Sequence, residues 1–190
     1  TEIIKKFVKY ELEGVPDKTE VSSFVFKEND IFAIATRAGL FVKINNKYLK
    51  RELPNHNSGK ITSLLVDRMG KLYAGSPDGL YESSTGKNFI KFEMGYVNDI
   101  LEGGDGRIWC GTKTGLKILK GKSIQTYNRK NSSLPHDCVN CLTKDEKENI
   151  YAWTVQGIAK IDTGMNFTVF TGTKYVPLMT GGISIQEGNT

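Results

Sequence analysis

Apolar and polar positions recur along this chain in a pattern of about 40 residues. Residues 61–80 open with apolar side chains at the first and fourth positions, pass through a polar turn, and close with an apolar run, a hydroxyl residue and Gly-Leu. The same pattern aligns without gaps at residues 21–40, 61–80, 97–116 and 139–158. Because no window keeps a 3.6-residue apolar period, the pattern predicts short strands and almost no helix.

Four columns of this alignment have a structural meaning. The opening apolar column contains Val21, Ile61, Val97 and Val139. The aromatic column contains Tyr73, Trp109 and Tyr151, with Ala33 in the first copy. The hydroxyl column contains Thr36, Ser76, Thr112 and Thr154, and the glycine column contains Gly39, Gly79, Gly115 and Gly157. The glycine predicts a positive φ at a hairpin.

Two more strand-like runs follow each copy, as in Leu116–Leu119 and then Ile124 to Tyr127. Four short strands in every repeat of about 40 residues are typical of a propeller blade. The predicted fold class is therefore all-β, a β-propeller of four-stranded antiparallel blades, with about four complete blades and partial strands at both ends.

Two stretches resemble a known repeat family. Residues 67–76, DRMGKLYAGS, and 104–112, GDGRIWCGT, are similar to the two-component regulator propeller repeat, and the resemblance covers about residues 21–175. The fourth copy departs from it with Trp153 in place of glycine, and the first with Ala33. The resemblance implies the extracytoplasmic propeller of a bacterial histidine kinase or hybrid sensor, periplasmic or extracellular, whose membrane and kinase regions are not in this chain.

The repeats also predict how the chain is divided. A last strand of a preceding blade lies in 1–20, the blades span 21–60, 61–96, 97–138 and 139–181, and 182–190 is the first strand of a truncated or shared blade. The chain is either an excised part of a longer propeller or a ring whose two end strands share a blade. Exposed blade faces would favour self-association or contact with the remaining blades of the parent.

Charge and composition exclude some classes. The formal net charge is +5 over 190 residues, and the basic residues are dispersed, which fits exposed edge strands and predicts no nucleic-acid partner. No apolar run approaches the ~18 residues of a membrane span. There is no P-loop or dinucleotide fingerprint, so no cofactor is predicted.

Few residues suggest reactive chemistry, and no catalytic residue is predicted. Cys110 occupies a column that takes small buried groups. Cys138 and Cys141 form a C-x-x-C, for which structural thiols are predicted, with a local disulfide or a metal site as alternatives. Asp105 is predicted to form a turn rather than to bind calcium, because one acid per loop supplies too few oxygen ligands.

Ligand-binding residues are predicted where the repeats vary. The turn before the recurring glycine and the connections between blades carry amides, charges and imidazoles, which suit a polar ligand such as an oligosaccharide. The candidate residues are Arg37, Asp78, Lys113, Gln156, His56, His136 and Asp137. Arg37 and Lys113 would favour an anionic ligand. The alternative is that these polar loops are simply solvated.

Three functions are compared at this stage. The first is a non-catalytic, ligand-binding sensor segment of a bacterial two-component receptor. The second is a protein-interaction scaffold without a small-molecule ligand, which would show an exposed apolar patch and no concave polar pocket. The third is a propeller lyase, which would need clustered His and Glu or a metal at the ring centre.

Overall fold

The computed structural model describes residues 12–171, which form strands and turns without a helix. The first sheet contains β1 (Val21–Lys27), β2 (Asp30–Thr36), β3 (Gly39–Ile44) and β4 (Lys47–Arg51). The second contains β5 (Ser63–Val66), β6 (Leu72–Ser76), β7 (Gly79–Ser83) and β8 (Ile90–Phe92). The third contains β9 (Val97–Glu102), β10 (Ile108–Thr112), β11 (Gly115–Lys120) and β12 (Ser123–Tyr127). The fourth contains β13 (Val139–Lys144), β14 (Ile150–Thr154), β15 (Gly157–Ile161) and β16 (Phe167–Phe170).

Each sheet is an antiparallel meander whose strands are ordered as they follow in sequence. The first strands of successive sheets are neighbours: β1 contacts β5, β5 contacts β9, and β9 contacts β13. The sheets are therefore arranged around a common axis, with their first strands innermost. The strands predicted before residue 12 and after residue 181 lie outside the described residues.

The strand pairing places two kinds of loop on one side of the array. In the first sheet, Thr36 at the end of β2 pairs with Val21 and Gly39, and Leu40 pairs with Arg51 at the end of β4. The turn between second and third strands therefore shares an edge with the connections between sheets. We call this edge the connection face, defined by turn residues 37–38, 77–78, 113–114 and 155–156 and by the connections around 52–60, 93–96 and 128–138.

The apolar core lies between adjacent sheets. Tyr73 of the second sheet packs in one cluster with Cys110 of the third, and Trp109 of the third packs with Ala152 of the fourth. A large ring on one sheet thus faces a small residue on the next. The predicted equivalence of Tyr73, Trp109 and Tyr151 is confirmed, since each is the second residue of its sheet's second strand.

Candidate functional site

The hydroxyl residue at the end of each second strand holds the following turn on the connection face. Thr112 Oγ1 accepts the N–H of Thr114 at 3.2 Å and donates to the carbonyl of Gly115 at 2.7 Å. The same two hydrogen bonds occur at Thr36 and Thr154, and Ser76 accepts the N–H of Asp78. Because the hydroxyl fixes the turn, the two residues that follow it are free to vary in side chain.

The recurring glycine is required by the backbone of the same turn. Its φ lies between 124° and 143° in the four sheets, a conformation that side chains disfavour. A Cβ at Gly115 would lie 2.3 Å from the carbonyl oxygen of Tyr127 on the fourth strand. The predicted positive φ is confirmed, and the close approach of the fourth strand adds a second reason for glycine.

A polar cavity of about 350 Å³ opens on the connection face between the first and second sheets. It is lined by Glu20, Ser22, Thr36, Arg37, Ser58, Gly59 and Lys60. The guanidinium Nε of Arg37 lies 2.7 Å from Glu20 Oε2, and both side chains are largely exposed. The cavity therefore presents exposed groups of both charges next to hydroxyls.

The sequence placed Arg37 at such a site but missed Glu20 and Lys60. Each immediately precedes the opening apolar position of its copy, where the other copies have Tyr96 and Cys138. That column varies as much as the turn residues do. This variation is the signal in the sequence from which Glu20 and Lys60 could have been predicted.

The structure brings the candidates His56 and Asp78 together beside this cavity. Asp78 Oδ2 accepts the backbone N–H groups of Asn57 at 3.0 Å and Ser58 at 2.9 Å, and it lies 3.1 Å from His56 Nδ1. The hydrogen bond from the Ser58 N–H, with smaller contributions from Asn57 and the His56 ring, lowers the pKa of Asp78 despite partial burial. Asp78 thus fixes the connection that forms one wall of the cavity.

His56 is anchored rather than exposed. Its ring is largely buried and stands edge-on to the ring of Tyr81, with centroids 5.6 Å apart. Tyr81 is itself fully buried in the second sheet. His56 and Asp78 therefore position the connection, and Arg37 and Lys60 supply the exposed charges.

Lys113 and Gln156 lie in the equivalent turns of the third and fourth sheets. The ammonium of Lys113 lies 3.9 Å from the ring centroid of Tyr96, and its backbone N–H donates to the Tyr96 carbonyl. The side chain of Gln156 is exposed, and the backbone N–H of Gln156 donates to Thr154 Oγ1. Both are on the connection face, but neither lines the cavity beside Arg37.

His136 and Asp137 organise the connection between the third and fourth sheets. His136 Nδ1 accepts the N–H of Cys138 at 2.9 Å, and Asp137 Oδ1 accepts the N–H of Arg129 at 2.8 Å. Leu134 of the same connection is buried against the fourth sheet. One polar atom of each candidate, His136 Nδ1 and Asp137 Oδ1, thus serves a local backbone hydrogen bond.

All three cysteines are free thiols. Cys110 is fully buried, as its column predicts, and burial raises the pKa of its thiol. Burial, together with the neighbouring carboxylate of Asp99, raises the pKa of Cys141 to about 11. Thiols with raised pKa values are poor nucleophiles at neutral pH. Across residues 12–171 no group of three or more His, Cys, Asp or Glu side chains is arranged to hold a metal ion.

Comparison with solved structures identifies the architecture. The extracellular domain of the putative hybrid two-component system BT3049 from B. thetaiotaomicron superposes with a TM-score of 0.69 at 22% identity, over 85% of this chain and 24% of that one. The corresponding domain of BT4673 gives a TM-score of 0.66 at 17% identity, over 93% and 24%. The fold is that of a β-propeller. Both neighbours are extracellular domains of putative two-component systems, and the propeller fold that the repeat resemblance implies is confirmed.

Enzymes share this propeller fold as well. Virginiamycin B lyase from Staphylococcus aureus has a TM-score of 0.69 at 14% identity, over 87% of this chain and 60% of the lyase. The propeller described here spans about a quarter of the two extracellular domains and less than two thirds of the lyase. No protein-family model matches the sequence, and no curated protein does. In the described part of the propeller no helix has the length and apolarity needed to cross a membrane.

Proposed function

We propose that this chain is a ligand-binding, non-catalytic sensor segment of a bacterial two-component receptor, located on the periplasmic or extracellular side. The likeness to extracellular domains of BT3049 and BT4673 supports the sensor role. The implied output, a kinase, would belong to other regions of the receptor. The ligand class is an oligosaccharide or another polar molecule.

The cavity on the connection face is the observation that carries the proposal. Its volume of about 350 Å³ falls within the ~300–1,000 Å³ of small-molecule sites. Arg37 and Lys60 can donate hydrogen bonds to a ligand, and Glu20 can accept them. The Ser58 hydroxyl can do either, whereas Ser22 Oγ can only accept because it donates to the Ile61 carbonyl. Sugar hydroxyls need this mixture of donors and acceptors, and the two cations favour a sugar that carries a carboxylate.

The cavity favours this proposal over the scaffold alternative, which expects no concave polar pocket, whereas the exposed side chains of Val21 and Phe24 meet the other criterion of a scaffold. The lyase alternative is supported by the TM-score of 0.69 to virginiamycin B lyase. That alternative needs clustered His and Glu or a metal at the ring centre, whereas His56 lies in the connection between the first and second sheets and His136 in the connection between the third and fourth.

The test is binding of neutral and uronate-containing oligosaccharides to the purified chain, first on an array and then by calorimetry. We expect Arg37→Ala to weaken binding of the best ligand at least about tenfold, a loss of ~1.4 kcal/mol. Folding should be unaffected, because the Arg37–Glu20 ion pair is exposed and such pairs contribute about 0–1 kcal/mol.

Lys113→Ala is the matched control, since it removes the same charge from the same face outside the cavity. It should leave the affinity nearly unchanged. Equal losses in the two variants would mean that general surface charge, not the cavity, attracts the ligand. The absence of any oligosaccharide that binds, or full affinity in Arg37→Ala, would refute this site.

A further inference from the structure

A repeated hydrogen bond links each innermost strand to the next sheet. The side chain at the second position of one copy donates to the carbonyl at the first position of the following copy. Ser22 Oγ donates to Ile61 at 2.9 Å, Thr62 Oγ1 to Val97 at 2.6 Å, and Asn98 Nδ2 to Val139 at 2.8 Å. Asn140 occupies the same position in the fourth sheet and is exposed.

The third position adds a link in the same direction. Ser23 Oγ accepts the N–H of Leu64 at 3.2 Å, and Asp99 Oδ2 accepts the N–H of Leu142 at 2.8 Å. The equivalent residue of the fourth sheet is Cys141. Asn140 and Cys141 are therefore the last residues in this series of links between sheets. No following sheet lies within residues 12–171 for them to contact.

In the first sheet, two apolar side chains are exposed at columns that are buried in the other three sheets. At the opening column, Val21 is 47% exposed, whereas its equivalents Ile61, Val97 and Val139 are at most 1% exposed. Three residues later, Phe24 is 53% exposed, whereas its equivalents Leu64, Ile100 and Leu142 are at most 7% exposed. Each buried equivalent packs against the preceding sheet. Val21 and Phe24 have the same role with no sheet before them in the described chain.

On the face of the first sheet that would meet a preceding sheet, the part formed by β3 and β4 is already covered. Leu12 and Val15 pack against Phe41 and Tyr48, as connection residue Leu134 packs on the fourth sheet. The exposed area is thus confined to the inner part, around Val21 and Phe24, where the next partner strand would lie.

The fourth sheet has an exposed surface on its other side, where a following sheet would pack. Tyr151 and Ile158 are partly exposed, although their equivalents in the second and third sheets are buried against a following sheet. Phe170 is about half exposed, whereas its equivalent Phe92 is buried. This surface, which we call the forward face of the fourth sheet, repeats the columns that receive a neighbour elsewhere in the array.

We propose that the forward face of the fourth sheet binds the exposed inner face of the first sheet of a second copy of this chain. Asn140 would donate to the carbonyl of the partner's Val21, and Phe24 of the partner would pack against Tyr151 and Ile158. The contact uses the same columns as the three interfaces already present inside the chain. It would therefore bury Val21 and Phe24 and give Asn140 an acceptor in the same contact.

Such a contact is heterologous and closes into a ring only if its rotation allows. The four sheets within residues 12–171 would give eight in two copies, and propellers close with four to eight blades. A ring of two copies with two identical head-to-tail contacts is therefore the assembly that the proposal expects.

Sedimentation velocity of the chain over a wide concentration range tests the proposal. The native chain should form dimers, and Phe24→Asp should raise the dissociation constant at least about tenfold, because a charge replaces a buried ring in both contacts. Met69→Asp is the matched control: Met69 is exposed on a hairpin turn away from both end surfaces, so dimerisation should persist. Both replaced side chains are exposed, so circular dichroism should show native folding.

A second measurement fixes the orientation. In the triple variant Val21→Cys, Asn140→Cys and Cys138→Ser, oxidation should join residue 21 of one copy to residue 140 of the other. Disulfides between two copies of residue 21 would show a head-to-head contact and overturn the proposal.

A monomer at all concentrations would also overturn it. If, in that monomer, Phe24→Asp lowers the stability by an amount typical of a buried ring, residues 182–190 or another part of the same chain cover the face. A dimer that Phe24→Asp leaves intact would place the interface elsewhere.

Discussion

At the scale of single residues, the first hairpin of the second and fourth repeats depends on a matched pair of side chains. Tyr73 donates its hydroxyl to Asp67 Oδ2 at 3.3 Å, and Tyr151 donates to Asp145 Oδ2 at 3.1 Å. The carboxylates also accept the backbone N–H groups of the turn. Aspartate and tyrosine thus act together, since the tyrosine hydroxyl needs an acceptor where its ring is buried.

The third repeat replaces this pair with glycine and tryptophan. Gly103 stands in the column of Asp67, and a Cβ there would lie 2.6 Å from Nε1 of the buried Trp109. The larger indole occupies the space, and Asp105 holds the turn instead by accepting the N–H of Arg107. The predicted turn role of Asp105 is confirmed.

One prediction at this scale concerns the clamp made by Asp78. Its pKa is lowered, so the ionised carboxylate stabilises the fold above the ordinary aspartate pKa of about 3.9, and this stabilisation is lost as pH falls through the lower folded-state pKa. Asp78→Asn should reduce the free energy of unfolding by about 1 kcal/mol near neutral pH. The difference from the native chain should shrink below about pH 4.

Urea unfolding of both proteins between acidic and neutral pH measures this difference. Asp17→Asn, at an exposed turn before the first sheet, is the control and should change stability little. A penalty for Asp78→Asn that is the same at every pH would show that the carboxylate's charge is not what holds the connection.

At the scale of the element, the turn between second and third strands depends on two conditions at one glycine. Gly115 has a φ of 135°, and a Cβ would meet the Tyr127 carbonyl. Gly106, in the hairpin turn before β10, has a φ of 78°, but a Cβ added there would have no atom within 4 Å. The two glycines therefore separate backbone strain from steric overlap.

We predict that Gly115→Ala lowers the free energy of unfolding by about 3 kcal/mol or more, because strain and overpacking add. Gly106→Ala should cost about 1–2 kcal/mol, the strain alone. Thermal and denaturant unfolding of the two variants give the comparison. Equal losses would mean that the fourth strand moves aside without cost.

At the scale of the whole molecule, the sheets are joined both by apolar packing and by the hydrogen bonds near the axis. Thr62→Val removes the hydroxyl that donates to the Val97 carbonyl while keeping a similar volume. The predicted loss is about 1–3 kcal/mol, because a carbonyl between two sheets is left without that donor. Thr168→Val, on the exposed edge strand β16, should be nearly neutral. If the two variants are equally stable, water replaces the lost donor and the link contributes little.

The amino-acid sequence by itself determined the four sheets, their strand order and the residues of the turns on the connection face. These features are local: alternation sets which side chains face a neighbouring sheet, and Thr or Ser followed by glycine sets the turn. Burial of Cys110 followed from its column, which takes small or aliphatic groups in the other repeats.

Only the tertiary structure decided which candidates form a site. The cavity joins Arg37 to Ser58 and Lys60 of the connection that follows the first sheet, and Asp78 is engaged by that connection some 20 residues earlier in the chain. Two of the hydrogen bonds between innermost strands join residues 35 and 43 positions apart, beyond the reach of any local pattern. A side chain's type shows that it can bind a ligand, but its neighbours from other repeats determine whether its polar atoms are still available.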